Sequence, residues 1–319
     1  MSRLSVPASR RDGSEPLPHV AVIVLHWGPL ELTSRCLHSL SRTSFTGKMT
    51  IFLIDNACAL DRGFGEQVPG LDVEIRRAGH NLGFAGGCAW GISLALEAAA
   101  DYILLLNNDV TVEPSAIDHL VAAASQAPEA GLLCPQIVST SRPPRAWYVG
   151  GSFSLWSGIP TQSRPAGRGL EGDEARDVDY ATGCVMLIDP AVIRTIGSFD
   201  TAFFAYCEDL DLSLRARQAG FRILFVPRAV VHHEVAAHDR LSLSIYYSTR
   251  NLLEVLRRHG AWYHWLGFVP NFVVRWVGFF VGLALMRRRP EYVSALAHGI
   301  GDFTRGRLGE RERRADARR

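Results

Sequence analysis

Val20-Ala21-Val22-Ile23-Val24-Leu25 is apolar at every position and mostly β-branched. An unbroken run of this kind is a strand covered on both faces, the habit of a parallel sheet. Outward from it, residues 30–40 carry apolar side chains at helical spacing. A second buried run, Ile51-Phe52-Leu53-Ile54, ends in Asp55-Asn56. A short strand at 73–75 leads into the Gly-rich Asn81-Leu82-Gly83-Phe84-Ala85-Gly86-Gly87 and a helix bearing Ile92, Leu94 and Leu96. The strand Tyr102-Ile103-Leu104-Leu105-Leu106 then ends in Asn107-Asn108-Asp109. Alternating strands and helices predict an α/β fold of Rossmann-like winding, with a mostly parallel central sheet and helices on both faces.

From 139 to 179 the pattern changes. Pro143, Pro144, Pro160 and Pro165 sit among many Gly and Ser with little periodicity, which reads as irregular strands and a loop lying over a site. The core resumes at Cys184-Val185-Met186-Leu187-Ile188, followed by helices at 191–196 and 209–219 and a strand at 222–226 leading to His232-His233. Residues 240–319 read as helical. Their stretch 265–286 is almost wholly apolar but is broken by Pro270, Asn271 and Arg275. A spanning helix needs about 20 apolar residues, and a central Arg is costly in lipid. Trp262, Tyr263, Trp265 and Trp276 are the aromatics favoured at membrane interfaces. The expectation is a set of helices lying in the interface, or a shallow hairpin. The other reading of the same residues is a helical dimer interface, giving a homo-oligomer, or packing against the α/β domain. The chain thus divides into a flexible leader at 1–17, an α/β domain at 18–239 and a helical, membrane-associating C-terminal region at 240–319 with a basic tail.

At 319 residues and 47% hydrophobic, the chain can bury a sizeable core. Lys+Arg at 34 against Asp+Glu at 32 gives no reason to expect nucleic acid as a partner. The basic residues gather late, in Arg287-Arg288-Arg289 and in the tail 311–319, which suits an anionic membrane surface or, equally, a solvated terminus. Six dispersed cysteines without a CxxC pair argue against a disulfide framework and a structural zinc site, and suit a reducing compartment. The N-terminus carries Arg3, Arg10 and Arg11 and lacks the apolar core of a signal peptide. The expected location is cytoplasmic, at the inner face of the cell membrane.

Ligands of open α/β sheets bind beyond the carboxyl ends of the strands. Three strands here end in polar groups at that edge: Asp55-Asn56, Asn107-Asn108-Asp109 and His232-His233. Singly these are ordinary turn chemistry; together with the acidic cluster Glu208-Asp209-Leu210-Asp211 they outline a site. A strand-end carboxylate such as Asp109 can bind Mg²⁺ or Mn²⁺ beside diphosphate oxygens, and a His on a neighbouring strand could complete the shell. Asp209, at the start of a helix, is positioned like a general base or, in the structural reading, like an N-cap. For Asp211, capping or salt bridging is expected.

The series Ile54-Asp55-Asn56, Asn81-Leu82-Gly83-Phe84-Ala85-Gly86-Gly87, Leu105-Leu106-Asn107-Asn108-Asp109, Thr182-Gly183-Cys184, Glu208-Asp209-Leu210-Asp211 and His232-His233 resembles glycosyltransferase family 2. Within it the likeness is to the bacterial rhamnosyltransferase-like branch, and it runs from about residue 18 to 255. Tyr246-Tyr247-Ser248-Thr249-Arg250-Asn251 and Gly299-Ile300-Gly301-Asp302 also resemble features of that branch. The resemblance implies a GT-A fold and an inverting, metal-dependent transfer, of rhamnose from dTDP-rhamnose, to a lipid-linked or growing cell-surface saccharide. It implies a nucleotide site at Asp55, Asn56, Asn81, Gly83, Asn107 and Asn108. It further implies acceptor contacts at Gly183 and Glu208, Asp209 as catalytic base, and Asp109 with His233 as ligands of Mg²⁺ or Mn²⁺; His232 remains the alternative to His233. The sequence departs from the family pattern where Asn107 stands at the first position of the Asp-X-Asp motif, which leaves Asp109 as its sole carboxylate. His26 stands where an Asn is often found.

Other chemistries fit less well. Gly83-Phe84-Ala85-Gly86-Gly87 lacks the Lys-Ser/Thr of a Walker loop and does not directly follow a first strand as a dinucleotide fingerprint does. A nucleotidyltransferase needs a basic Gly-rich loop near the N-terminus, which His26-Trp27-Gly28-Pro29 does not supply. The same enzyme class with a UDP-hexose donor, and a catalytically inactive saccharide-binding scaffold, are the remaining alternatives.

Overall fold

Strand β1 (Val20–His26) is buried along its whole length and sits between β2 (Met49–Asp55) and β4 (Tyr102–Asn107), parallel to both. The computed structural model describes residues 17–56, 60, 64, 70–141, 143–162, 173–234 and 241–311. The expected leader, apart from residue 17, lies outside these residues, as do most of the basic tail and part of the 139–179 loop. Helix α1 (Leu30–Leu40) connects β1 to β2, β3 (Val73–Arg77) follows, and α2 (Gly83–Glu97) returns the chain to β4. The two helices cover opposite faces. His26 turns towards α1, where its Nδ1 meets Thr33 Oγ1 at 2.7 Å. Ile23 and Leu25 turn towards α2 and fill the space that a Cβ at Gly91 or Gly87 would need. Those two glycines let α2 lie close on the sheet.

After β4 the chain makes β5 (Val110–Val112), α3 (Ala116–Gln126), β6 (Ala130–Ser139), β7 (Arg145–Tyr148), β8 (Gly151–Ser152), β9 (Thr161–Gln162) and β10 (Arg176–Asp177). There follow β11 (Val185–Ile188), α4 (Pro190–Ile196), α5 (Glu208–Gln218) and β12 (Arg222–His233). The main sheet has the order β10-β12-β6-β11-β4-β1-β2-β3. Six of these strands run one way; β11 and the edge strand β10 run against them. The sheet is therefore mostly parallel, as the buried runs predict. The strand order reverses beside β1, so the carboxyl ends of β1 and β4 open a crevice there.

Strand β12 is longer than its apolar run. It continues through a bulge between Val226 and Val230 to His233, pairing with β6 on one side and β5 on the other. The 139–179 stretch supplies the short strands β7 to β10, too short and too mixed in burial to leave a periodic signal.

The C-terminal region is helical, as expected: α6 (Leu241–His259), α7 (His264–Asn271), a π-helical segment (Phe272–Val277), α8 (Gly278–Arg287) and α9 (Glu291–Thr304). The π segment follows Pro270, which has no N–H to give the preceding turn. Leu252, Leu253, Val255 and Leu256 of α6, with Phe268 and Phe272, belong to the same core as the sheet. The segments on either side of residue 239 thus share one core. A smaller cluster joins α6 to α8 and α9 through Tyr246, Tyr247, Ala284, Tyr292 and Leu296.

Candidate active site

A cleft of about 1880 Å³ runs from the strand ends to the C-terminal helices, lined by Asn56, Asn81, Gly83, Asn107, Asn108, Asp109, Gly183, Glu208, Asp209 and His233 among others. Of the residues the resemblance assigns to the site, Asp55 does not line it, and neither does His232, the alternative to His233. The Asp55 side chain is fully buried, accepts the Leu60 N–H at 3.1 Å and lies 4.0 Å from Arg77 Nε.

One wall is a knot of amides. Asn56 Oδ1 accepts the Leu82 N–H at 2.8 Å, and its Nδ2 donates to Asn81 Oδ1 and to the Gly83 carbonyl, each at 3.1 Å. Asn81 Oδ1 also accepts the Gly83 N–H at 2.9 Å. Gly83 has φ +73°, and a Cβ there would strike the Phe204 carbonyl, so glycine is required twice over. Across the crevice Asn108 Nδ2 donates to Trp27 O at 3.2 Å and Thr33 Oγ1 at 2.9 Å. His26 is buried behind this wall, which lowers its pKa.

At the foot of the crevice Asp109 and His233 meet. Strand β5 pairs antiparallel with β12, matching Val110 to His233, and the Glu234 N–H donates to the Asp109 carbonyl at 2.9 Å. This register brings His233 Nε2 to 3.3 Å from Asp109 Oδ2. The alternation of the strand sends His232 to the other face, where its Nε2 meets Glu113 Oε1 at 2.9 Å. Asp109 Oδ1 and His233 Nδ1 are buried without a hydrogen-bond partner among the described residues, an arrangement that a cation at the pair or substrate groups beside it would relieve. No group of three or more His, Cys, Asp or Glu converges among the described residues. A divalent ion held by Asp109 and His233 would therefore draw further ligands from substrate oxygens and water, as Mg²⁺ and Mn²⁺ accept. Trp147 of β7 packs edge-on against His233 with centroids 4.7 Å apart. Its position in an aperiodic stretch hid it from sequence reasoning.

The opposite wall is the start of α5. Asp209 Oδ2 accepts the Gly183 N–H at 2.9 Å and its Oδ1 accepts the Leu210 N–H at 2.8 Å. Burial raises the Asp209 pKa despite these two donors. Glu208 is pushed well above the usual carboxylate range by burial and then by the neighbouring Asp209; its Oε2 has no partner among the described residues. Two residues on, Asp211 behaves oppositely. Burial alone would raise it, but hydrogen bonds from His259 at 2.9 Å and Arg215 at 2.8 Å hold it below its ordinary value. Asp211 is thus a structural ion-pair residue. The helix is entered through Phe204, Tyr206 and Cys207, all at positive φ, and Tyr180, Tyr206, Tyr246 and Tyr247 complete the wall.

The model of the family described as glycosyltransferase like family 2 matches residues 18–264. The chain belongs to that family and is a glycosyltransferase. It is similar to the N-acetylglucosaminyl-diphospho-decaprenol L-rhamnosyltransferase of Mycobacterium tuberculosis, 27% identical over 78% of this chain and 87% of that one. Over 65 residues, 20% of this chain and 24% of the other, it is 40% identical to the rhamnosyltransferase WbbL of Escherichia coli. Among solved structures, GalNAc-T7 with UDP, GalNAc and Mn²⁺ superposes with a TM-score of 0.61 at 19% identity, over 76% of this chain and 48% of that chain. S. aureus TarS 1-349 with UDP-GlcNAc gives 0.58 at 15% identity, over 90% of this chain and 81% of that one. These two likenesses establish the GT-A fold.

Proposed function

We propose that this glycosyltransferase is inverting and metal-dependent, and moves rhamnose from dTDP-rhamnose to a lipid-linked saccharide at the inner face of the membrane. The observation that carries the reading is one cleft with the Asp109–His233 pair on one side and a half-buried carboxylate, Asp209, on the other. Mg²⁺ or Mn²⁺ bound at the pair would neutralise charge developing on the departing nucleoside diphosphate. The chain's own residues supply the rest. Asn56, Asn81, Gly83, Asn107 and Asn108 present fixed amide and backbone groups to the nucleotide. Asp55, buried behind them, holds the Leu60 N–H and faces Arg77 at the back of that pocket. Asp209 takes the acceptor hydroxyl proton as the oxygen attacks, its basicity raised by burial and its orientation held by the Gly183 and Leu210 N–H groups. Glu208, whose carboxyl burial pushes well above the usual range, would in its protonated form donate a hydrogen bond to an acceptor hydroxyl.

Rhamnose is favoured by the two relatives named as rhamnosyltransferases, one of them for a diphospho-decaprenol acceptor. The membrane reading rests on the continuous helix His264–Arg287, long and apolar enough to cross a membrane by length and composition. A spanning helix has to leave the protein body. Here Phe268, Phe272, Trp276, Phe280 and Ala284 form an inner stripe packed on the body. From 268 to 284 that stripe covers about 24 Å at 1.5 Å per residue. Leu266, Val269, Val273, Val274 and Phe279 face outward, beside the exposed Trp262, and Arg287-Arg288-Arg289 follows. That is the pattern of a helix lying in the interface of an anionic membrane.

The test is calorimetric binding of UDP, dTDP and GDP, each with and without Mn²⁺ or Mg²⁺. Metal-dependent preference for dTDP is expected. A preference for UDP would keep the enzyme class and change the donor. Folded protein that binds none of the three would overturn the catalytic reading in favour of a saccharide-binding scaffold.

A further inference from the structure

We infer that Asn251 and Arg250 of α6 are positioning residues for transfer, holding the backbone of residues 203–207 in the strained path that aims Asp209 into the cleft. The inference rests on the reading of Asp209 as base.

Phe204, Tyr206 and Cys207 have φ of +63°, +69° and +66°. Side chains with a Cβ avoid this region, and a cluster of such residues persists only where its surroundings force it. The force here comes through the carbonyls. Every carbonyl from Ala202 to Cys207 has a donor, and most of the donors are remote in sequence. Asn251 Nδ2 lies 2.9, 2.8 and 2.7 Å from the carbonyls of Phe203, Ala205 and Tyr206, so its two hydrogens are shared among three acceptors. Arg250 Nη2 donates to Phe203 O at 3.0 Å, and Arg250 Nε donates to Asn251 Oδ1 at 2.9 Å, which fixes the orientation of the amide. The Ala85 N–H of α2 takes Phe204 O at 3.1 Å, the Gly309 N–H takes Ala202 O at 2.6 Å, and the Asp211 N–H takes Cys207 O at 3.0 Å.

Both α6 residues are buried, Asn251 at 0% and Arg250 at 1% exposure. Arg250 has no carboxylate partner among the described residues. It spends its charge on the carbonyls of Phe203 and Gly309 and on the faces of Tyr246 and Tyr247. A guanidinium turned onto carbonyls is suited to organising a loop. The loop opens directly into Glu208 and Asp209, so relaxing its path would swing the base and let water reach it.

The experiment compares Asn251→Ala and Arg250→Lys with the parent full-length enzyme. The assay is transfer from dTDP-rhamnose to N-acetylglucosaminyl-diphospho-polyprenol, with a parallel measurement of dTDP binding. The folded fraction is taken from chemical denaturation. For Asn251→Ala, kcat per folded molecule should fall by about 10²-fold, the cost of a misplacement near 1 Å, while dTDP affinity holds. The acid limb of the kcat/KM profile should move to lower pH as Asp209 becomes better solvated. Arg250→Lys, which keeps the charge, should lie between Asn251→Ala and the parent, and it carries the test alone if Asn251→Ala does not fold. Loss accounted for by unfolded protein, with the acid limb unmoved, would overturn the inference. If Asp209→Asn is fully active, the base reading itself fails; if Asp209→Asn is dead while both α6 variants match the parent per folded molecule, only the positioning inference fails.

Discussion

The two walls of the cleft are held by different means. On the side we assign to the donor, Asn107, Asp109 and His233 stand at the ends of strands, where the ladders of β1, β4, β5 and β12 fix them, and Asn56 follows β2. On the side we assign to the acceptor, Asp209 follows a run of positive-φ residues held by side chains of α6, some 45 residues later in the chain. A wall built on a ladder tolerates the loss of one side chain, because the backbone bonds that position it remain. A wall built on clamps is as good as its clamps. Substitutions on the two sides should therefore fail in different ways, the donor side in affinity and the acceptor side in turnover.

The largest separation is expected from Asp209→Asn. General-base catalysis contributes about 10²–10⁴-fold, so kcat should fall within that range while nucleotide diphosphate affinity, measured by calorimetry, stays at the parent value. Equal losses in both quantities would collapse the distinction between the walls. The complementary variants are Asp109→Ala and His233→Ala. Each should lower the metal-dependent part of nucleotide binding by at least the 10–100-fold seen when a metal site loses even a supporting partner. His232→Ala, whose ring meets Glu113 on the opposite face, should leave it unchanged. A metal response that survives in Asp109→Ala would refute the assignment of that wall.

The same contrast explains what the sequence reveals. The donor wall is legible because strand ends are local events: an apolar run, then a polar residue, and the sheet supplies the geometry. The mostly parallel sheet follows from such runs and the helices between them, while the order β3-β2-β1-β4 and the crevice beside β1 are set by the strand pairing. His232 and His233 are separable only once the pairing of β5 with β12 sets the alternation, and no residue near 232 announces that pairing. The acceptor wall is less legible. Glu208-Asp209 marks a place, but the opposite pKa shifts of Asp209 and Asp211 depend on burial raising the first and on His259 and Arg215 meeting the second. Trp147 lies in a stretch whose strands are too short to show a period. The reading of 240–319 as helical holds, while the insertion of Leu252, Leu253, Val255 and Leu256 into the common core is a tertiary fact that an amphipathic pattern does not specify.

A smaller effect should distinguish the outward face of helix 264–287 from its inner stripe. Leu266→Glu, Val273→Glu and Phe279→Glu together charge the exposed side without touching Phe268, Phe272 or Trp276. Partial burial of three apolar side chains is worth a few kcal/mol at most, so flotation with vesicles containing phosphatidylglycerol should show binding weakened by about tenfold or more, with nucleotide affinity intact. Undiminished flotation would remove the membrane from this face, and loss of a dimer in sedimentation instead would assign the face to a second copy of the chain.

The smallest effect sits within α5 and concerns stability rather than catalysis. Burial holds the Glu208 carboxyl protonated well above the ordinary carboxylate pKa of about 4.3. A group whose folded pKa is raised contributes its stability fully below the unfolded pKa and loses it as pH rises towards the folded one, because the unfolded chain ionises first. Asp211 has the opposite sign: its pKa is depressed, so its contribution is present above the unfolded value near 3.9 and lost as pH falls through the folded one. Glu208→Gln removes the first dependence and leaves the second. It should raise the Tm by a few degrees at pH 7, by less at pH 5.5 and by almost nothing at pH 4, with acid unfolding below that unchanged. A Tm gain independent of pH would mean that Glu208 is ionised in the folded enzyme, and its role as a hydrogen-bond donor to the acceptor would fall with it.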